Sequence, residues 1–317
     1  MRVVFFGTPD FAVPPLEALA AAEDLRPVRV ITQPSRPVGR RRALKAPPVA
    51  VRAGELGLPV QQAPSVRDPA FLGDLEALEP DVAVVVAFGQ IFRRRLLGLP
   101  RLGCVNLHAS LLPAFRGAAP IQASIAAGDR ETGVTTMRMT RGLDSGPMLL
   151  RASLAIGPDE TAPELSARLS ELGAGLLVRT LRGLERGQIE AQPQDESAVS
   201  FAPMLSREDA LVDWNLPAEA LYNRWRGFNP WPGLTSHFAG RPLKLTSVRP
   251  LAGSTQEPPG ALLGLSGDAV TVACGSGTIL AAERVQRPGK KPVSGADFLN
   301  GERPEPGERF GPLEAPD

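Results

Sequence analysis

The stretch DVAVVVA, residues 81–87, decides the fold, because it is a short run of apolar and mostly β-branched side chains with no polar alternation. Such a run is typical of a strand that is buried on both faces, as in a parallel sheet covered by helices. Similar runs stand upstream at 3–6 and 28–32. These three segments predict neighbouring strands of one buried sheet.

Helical patterns separate the strand-like runs, so strands and helices alternate through the first half of the chain. The predicted helices are 14–22, 48–56, 69–78 and 121–127, and further predicted strands are 103–108, 133–139 and 147–156. A long amphipathic pattern then covers 162–187 and ends at Gly187. This alternation predicts a doubly wound α/β domain.

The second part of the chain has a different texture. A polar stretch at 188–200 has neither helical nor strand periodicity, and short strand-like runs separated by Gly and Pro follow it at 243–248, 260–265, 269–273 and 278–285. Strands at this spacing favour a small β-barrel or sandwich. We therefore expect a domain at 1–187, a linker at 188–205 and a second domain at 206–317, whose last 17 residues trail over the surface.

Composition excludes several classes of protein. The 317 residues carry 35 Lys and Arg against 34 Asp and Glu, so no global charge attracts nucleic acid or membrane. The two cysteines lack any CxxC spacing, which argues against a disulfide framework and a structural zinc site. No signal-peptide pattern and no apolar run of about 18 residues is present. We expect a cytoplasmic protein that does not span a membrane.

Three side chains are candidates for chemistry. Asn106 and His108 stand two residues apart where a predicted strand ends, so both point to one side at the carboxyl edge of the sheet. Asp144 lies between Gly142 and Gly146 in a loop that can bring its carboxylate beside the histidine. An amide, an imidazole and a carboxylate together suit acyl transfer to an amine. In the structural alternative, Asn106 and Asp144 cap turns and His108 satisfies a backbone group.

A basic segment, 33–49, follows the second predicted strand and contains no acidic residue. It can bind phosphates, or it can be a solvated turn. The nearby Gly7-Thr8-Pro9 does not form a GxGxxG pattern, so a nicotinamide-binding site has little support. The cationic side chains of the segment are Arg36, Arg40, Arg41, Arg42 and Lys45.

Longer motifs occur in a specific order. GTPDFAVPPLEAL, TQPSRPVGR, NLHASLLPAFRGAAPIQ and GLDSGPML follow one another in the first half, and DWNLPAEAL, FNPWPG, GKK and DFLNG follow in the second. In this order and at these separations, the chain resembles the methionyl-tRNA formyltransferase family. The resemblance covers nearly the whole chain, and the NxH and SLLPxxRGAAPI blocks are its most specific part.

The resemblance implies an α/β Rossmann-like formyltransferase domain followed by a small C-terminal OB-like β-barrel domain that binds tRNA. It implies transfer of the formyl group of 10-formyltetrahydrofolate to the α-amine of methionyl initiator tRNA, without a metal. By motif, the catalytic residues are Asn106, His108 and Asp144; the folate contacts are Ser110, Leu111, Leu112 and Pro113, with Phe88, Gly89, Gln90 and Ile91 lining the pterin pocket; and the tRNA contacts are Arg36, Arg40, Arg41, Arg42 and Lys45.

The sequence departs from the family pattern at a few positions and leaves two alternatives. Phe115 stands where a tyrosine is common, which removes a hydroxyl group, and Phe88 and Phe92 stand where Tyr and Pro are frequent. One alternative is a folate-dependent formyltransferase of a small amine, such as glycinamide ribonucleotide or an amino sugar nucleotide. The other is a non-catalytic tRNA-binding protein that uses the barrel alone. The basic segment, together with a C-terminal domain that carries the family's motifs, argues against the first, and the presence of Asn106, His108 and Asp144 argues against the second. We expect a monomer.

Overall fold

The computed structural model describes residues 1–38 and 43–311, which form two compact units. The first unit contains Met1–Pro120, Glu131–Ile156 and Glu164–Pro203, and the second contains Ile121–Arg130, Gly157–Pro163 and the chain from Met204 onward. Most of the stretch predicted as a linker, 188–203, thus lies inside the first unit.

The first unit is an α/β structure. Its strands are β1 (Val3–Gly7), β2 (Pro27–Thr32), β3 (Arg36–Val38), β4 (Ala43–Lys45), β5 (Val60–Gln62), β6 (Val82–Val86), β7 (Cys104–His108), β8 (Arg116–Gly117), β9 (Glu131–Arg138), β10 (Met148–Ala155) and β11 (Phe201–Ala202). The helices in this part of the sequence are α1 (Val13–Ala21), α2 (Pro48–Glu55), α3 (Pro69–Glu76), α4 (Arg94–Leu97), α5 (Pro120–Ala126), which runs into the second unit, and α6 (Ala162–Glu185).

A seven-stranded sheet in the order β10-β9-β7-β6-β1-β2-β5 forms the centre of this unit. The strands from β5 to β7 are parallel, and β9 and β10 run antiparallel to their neighbours. All five residues of β6 are buried, because helices cover both faces of a parallel sheet. The predicted doubly wound α/β domain is therefore confirmed.

Helix starts in this unit follow local capping rules. At α3, the Asp68 carboxylate accepts a hydrogen bond from the Ala70 N–H at 2.8 Å, and Pro69 occupies the first helical position, where no N–H is needed. The long helix α6 buries a stripe of leucines, including Leu165, Leu169 and Leu177, as its predicted amphipathic pattern requires.

Two short pairs of strands lie outside the seven-stranded sheet, each with a member in a segment that follows the carboxyl end of one of the sheet's parallel strands, where open α/β sheets bind ligands. Strands β3 and β4 form an antiparallel hairpin, and β8 pairs in parallel with β11. Gly117 in β8 has φ +128°, and a Cβ at this position would collide with the carbonyl oxygen of Ala202. Only glycine permits this close approach.

The second unit is built around an antiparallel sheet. Its strands are β12 (Leu234–Phe238), β13 (Arg241–Leu251), β14 (Leu262–Ser266), β15 (Ala269–Ala273), β16 (Ile279–Gln286) and β17 (Val293–Ser294), in the order β12-β13-β16-β15-β14 with β17 on β16, and its helices are α7 (Ala218–Phe228) and α8 (Gly295–Glu302). The four predicted strands are present, and the arrangement is that of an OB-like β domain.

The end of the described chain corrects one prediction. Gly311 bridges His237 in β12, and Arg309 bridges Ala261 just before β14, so this segment joins the two ends of the strand order. Phe310, 1% exposed, packs against other aromatic rings of the core, and its burial stabilises the fold by about 1.5–3 kcal/mol. The prediction that the last 17 residues trail over the surface is wrong for 309–311, and 312–317 lie outside the described residues.

In the ranges 1–38 and 43–311, no helix combines the length and the apolar character needed to cross a bilayer.

Candidate active site

Strand β7 positions two of the three candidate catalytic residues. It lies between β6 and β9, with Asn106 opposite Val85 on one side and Met137 on the other. Because side chains alternate along a strand, Asn106 and His108 project from the same face, about 6.6 Å apart along the backbone. Both therefore reach the carboxyl end of the parallel strands.

His108 is buried, and its ring is hydrogen-bonded at one nitrogen and faces a carboxylate at the other. Nε2 lies 2.9 Å from the carbonyl oxygen of Phe115. Because a carbonyl oxygen only accepts hydrogen bonds, Nε2 carries a proton in this contact. Nδ1 faces the Asp144 carboxylate, with Oδ2 at 3.8 Å. The nitrogen with a free lone pair in the neutral ring is thus Nδ1, on the side of the carboxylate.

Asp144 is hydrogen-bonded to the same turn, Phe115–Gly117, that contacts His108. Its Oδ2 accepts a hydrogen bond from the Gly117 N–H at 2.9 Å. Its backbone has φ +45°, in the left-handed region that residues with a Cβ seldom adopt. Phe115 has φ +59° as well. The turn from Phe115 to Gly117 therefore contacts the imidazole with one peptide group and the carboxylate with another.

The predicted folate segment, Ser110–Pro113, is shaped from within by hydrogen bonds. The buried Ser110 hydroxyl donates to the Ala114 carbonyl at 2.6 Å. The Thr135 hydroxyl donates to the Ser110 carbonyl at 2.7 Å and accepts from the Leu112 N–H at 3.1 Å. Leu112 is fully buried and packs with Met137 and Met148, and Leu111 is half-buried. Sequence reasoning did not single out Thr135.

The second predicted folate segment, Phe88–Ile91, contains side chains in different environments. The Phe88 ring packs edge-on against two other core phenylalanines, and its carbonyl accepts from Thr8 Oγ1 and Gln33 Nε2. Gly89 has φ +82°. The Gln90 amide is bonded to backbone groups of the 63–66 segment. Ile91 is 72% exposed, so it is the side chain of this segment that can contact a ligand.

The basic segment forms the hairpin β3–β4, which places Arg36 opposite Lys45. Both side chains are exposed, and Arg36 donates to the Gln33 side chain. A cavity of about 330 Å³ lies beside the hairpin, and its lining includes Arg36, Lys45, Phe88 and Gly89. Arg40, Arg41 and Arg42 lie outside the described residues.

Two buried residues outside the predicted set, Gln194 and Cys104, contact or belong to the elements that carry the candidate site. Gln194 donates to the backbone carbonyls of Asp144 and Gly146, a contact for which the sequence offered no periodic or motif signal. Cys104 is buried in β7, and this burial raises the pKa of its thiol to about 12, which leaves it unreactive as a nucleophile. In the described part of the chain, no three His, Cys, Asp or Glu side chains cluster as metal ligands would.

Comparison with known families agrees with this architecture. A family model described as formyl transferase matches residues 1–181, and a second model, described as formyl transferase, C-terminal domain, matches residues 204–303. The class that the fold and the site define is therefore a formyl transferase.

Curated relatives narrow the class. Proteins named methionyl-tRNA formyltransferase match from Citrifermentans bemidjiense (45% identical, 99% of this chain and 98% of the relative), Geobacter metallireducens (46%, 98% and 99%) and a Synechococcus species (47%, 99% and 99%). The chain belongs to the methionyl-tRNA formyltransferase family. The resemblance predicted from the motifs is confirmed, and neither alternative function is favoured.

Solved structures show the same fold at much lower identity. An N-formyltransferase from Helicobacter canadensis, in complex with folinic acid and dTDP-3-aminofucose, superposes with a TM-score of 0.66 at 15% identity, over 89% of this chain and 98% of that one. The sugar 3N-formyl transferase WlaRD gives a TM-score of 0.65 at 15% identity, over 92% and 99%. At this identity the likeness shows the fold alone.

Proposed function

We propose that the protein transfers the formyl group of 10-formyltetrahydrofolate to the α-amine of methionyl initiator tRNA. The observation that carries the proposal is the imidazole of His108 beside the carboxylate of Asp144, 3.8 Å apart, on the strand end that also presents Asn106. This constellation stands in a chain that is 45–47% identical to proteins named methionyl-tRNA formyltransferase.

The reaction is an acyl transfer between two nitrogens. The lone pair of the α-amine attacks the formyl carbon, and the carbonyl oxygen becomes an oxyanion. The intermediate then collapses, the bond from carbon to N10 of the folate breaks, and N10 takes up a proton while the attacking nitrogen loses one. An α-amine titrates at about 7.7–8.0, so the nucleophile needs placement more than activation.

The three site residues stabilise the charges that develop in this reaction. The Asn106 side-chain amide donates to the oxyanion, and it does so from a strand position that needs no rearrangement. The protonated His108 ring donates from Nδ1, because Nε2–H is already engaged by the Phe115 carbonyl. Asp144 stabilises the imidazolium and helps to move protons between the two nitrogens.

The formyl donor is held by the two segments that follow β6 and β7. The folate-bound structural neighbours and the formyl transferase family support a folate donor for this fold. Polar backbone groups of Ser110–Pro113 bind the donor, on a framework fixed by Thr135. On the β6 side, Phe88 and Gln90 shape the segment from inside, and the exposed Ile91 contacts the pterin.

The tRNA is held by charge and by the second unit. Arg36 and Lys45, together with Arg40, Arg41 and Arg42 of the same basic segment of the sequence, neutralise phosphates of the acceptor end. The chain from 206 onward binds the body of the tRNA, while 1–187 carries the chemistry. The protein acts as a monomer in the cytoplasm.

The test is a substrate comparison. The protein is incubated with 10-formyltetrahydrofolate and charged initiator tRNA, charged elongator methionine tRNA or glycinamide ribonucleotide. We expect formylation of the initiator species, with little of the other two. Formylation of glycinamide ribonucleotide in preference to either tRNA would reject the proposal.

A further inference from the structure

The polar stretch that the sequence predicts as a linker contacts two segments of the candidate active site, the turn Phe115–Gly117 and the loop Gly142–Gly146, here called the Asp144 loop. Gln194, in its middle, is buried at 9% exposure. We infer that Gln194 is a positioning residue that holds the Asp144 carboxylate at the ring of His108. The inference rests on the proposed function for the roles of Asp144 and His108.

The Gln194 amide is fully used. Its Nε2 donates to the Asp144 carbonyl at 2.7 Å and to the Gly146 carbonyl at 2.8 Å. Its Oε1 accepts from Arg116 Nε at 3.0 Å. One side chain thus fixes the backbone of the Asp144 loop on one side and the Arg116 side chain on the other.

Arg116 links this amide to the turn that contacts the imidazole. It is 4% exposed and lies between Phe115, whose carbonyl binds His108, and Gly117, whose N–H binds Asp144. Ser200, from the same polar stretch as Gln194, also supports the backbone of this turn, because its Oγ accepts a hydrogen bond from the Phe115 N–H at 2.9 Å. Through Gln194, the turn that holds the imidazole and the loop that holds the carboxylate become one hydrogen-bonded assembly.

The Asp144 loop needs such support. Asp144 keeps a left-handed backbone despite its Cβ, and a conformation of this kind persists only where its surroundings impose it. The gap of 3.8 Å between Nδ1 and Oδ2 exceeds a hydrogen bond, so the ring and the carboxylate do not fix each other. The Gly117 N–H binds the carboxylate directly, and the bonds from Gln194 hold the loop backbone that carries it, so the carboxylate keeps its place only while both sets of bonds are present.

The first experiment compares Gln194→Met with Gln192→Met in the full-length protein. Methionine matches the length of glutamine but removes the amide. Gln192 is exposed, and its pairing with Met148 uses backbone atoms, so it is a matched control in the same stretch. We expect kcat to fall about 10–100-fold for Gln194→Met, because small misplacements of catalytic groups have effects of this size. KM for the formyl donor should stay within about threefold, and Gln192→Met should resemble the wild type.

A double-mutant cycle separates positioning from general stability. Gln194 bonds to the backbone carbonyl of Asp144, and this carbonyl survives in Asp144→Ala while the carboxylate is lost. If Gln194 acts through the carboxylate, adding Gln194→Met to Asp144→Ala should change kcat less than about threefold, since residues that act as a unit are not additive. A loss as large as in the wild-type background would overturn the inference and leave a structural role.

Gln194→Glu keeps the experiment informative if Gln194→Met folds poorly. Glutamate retains an oxygen acceptor for Arg116 Nε and removes both donors to the loop carbonyls. We expect the same loss of kcat in a protein that still folds, with a lower melting temperature because two loop carbonyls lose their donor. Wild-type kcat in a folded Gln194→Glu protein would contradict the inference.

An NMR measurement makes the two proposals separately testable. The chain has two histidines, so the His108 ring Hε1 resonance is identified by its absence in His108→Ala. Gln194→Met should move this resonance at constant pH, and Gln192→Met should not. A moved resonance in a protein that formylates no tRNA would reject the proposed function and retain the positioning role. An unmoved resonance would reject the positioning role whatever the activity.

Discussion

The Asp144 loop, Gly142–Gly146, and the basic hairpin β3–β4 both carry candidate functional residues, but they are anchored in different ways. The loop is bound at its carboxylate by Gly117 and at its backbone by Gln194, two partners that are distant in sequence. In the hairpin, Arg36 and Lys45 are exposed, and the side-chain partner of Arg36 is Gln33, three residues away.

The difference agrees with the roles that we propose for the two regions, acyl transfer for the first and phosphate binding for the second. Acyl transfer depends on the placement of a few atoms, and a displacement of about 1 Å can reduce the rate about 100-fold. Phosphate binding depends mainly on the number of positive charges, which act through counterion release and tolerate variable geometry. We therefore expect substitutions in the first region to act on kcat, and substitutions in the second to act on tRNA affinity.

The largest effects should come from the imidazole and the carboxylate. We expect His108→Ala and Asp144→Asn each to lower kcat by about 10²–10⁴, the range associated with general acid–base groups. Since the two groups act as a unit, the double variant should be far less impaired than the product of the single losses. Single-turnover formylation of charged initiator tRNA measures all three. Fully multiplicative losses would show that the two residues act independently.

Asn106→Ala should come next, with a decrease in kcat of about 10²–10³, as for the loss of one oxyanion donor. Asn106 has partial exposure on β7, so its removal leaves the sheet intact. Folate affinity, measured by equilibrium titration, should remain close to that of the wild type. Near-normal turnover in a folded variant would exclude Asn106 as the donor.

Structure that depends on local patterns could be predicted from the sequence, and structure that depends on distant partners could not. The runs that form β1, β6 and β7 are local patterns, so the parallel sheet and the positions of Asn106 and His108 could be predicted. The pairing of β8 with β11 involves two residues on each side, and a strand of this length leaves no periodic signal. The burial of Phe310 in the core of the second unit likewise depends on partners far away in the chain.

Gln194 shows the same limit within the site. Its partners, Arg116 and Asp144, lie 78 and 50 residues away, and the polar composition around it is that of a linker. A polar side chain that becomes buried by long-range contacts cannot be distinguished from an exposed one by periodicity. Strand spacing and motif resemblance predicted Asn106, His108 and Asp144 as site residues, whereas the groups that hold them became visible only in the structure.

The hairpin should give a moderate effect of a different kind. We expect Arg36→Ala combined with Lys45→Ala to raise KM for charged tRNA several-fold and to leave the folate KM unchanged. Each lost phosphate contact should reduce the slope of log K against log salt by about 0.7–0.9. Arg95→Ala, which removes an exposed arginine paired with Glu76, is the control. An unchanged salt slope would show that the hairpin does not bind phosphates and would favour the alternative interpretation, a solvated turn.

The smallest effect should come from the exposed side of the network that holds the Asp144 loop. Arg116 binds Glu196 as well as Gln194, but the Glu196 side chain is 74% exposed. Water screens exposed ion pairs, so we expect Glu196→Gln to leave kcat within about twofold of the wild type. Gln194→Met, on the buried side of the same guanidinium, should lower it far more.

The pH dependence of Glu196→Gln sharpens this contrast, because the hydrogen bond from Arg116 lowers the pKa of Glu196. A carboxylate whose pKa is lower in the folded state stabilises that state above its unfolded pKa, about 4.3, and this contribution disappears as the pH falls through the folded value. The wild type should therefore melt slightly above Glu196→Gln at neutral pH, and the difference should vanish in acid below the folded pKa. Melting temperatures of both proteins from pH 7 to pH 3 test this. If the difference persists unchanged in acid, ionised Glu196 does not stabilise Arg116, and Gln194 holds the guanidinium without it.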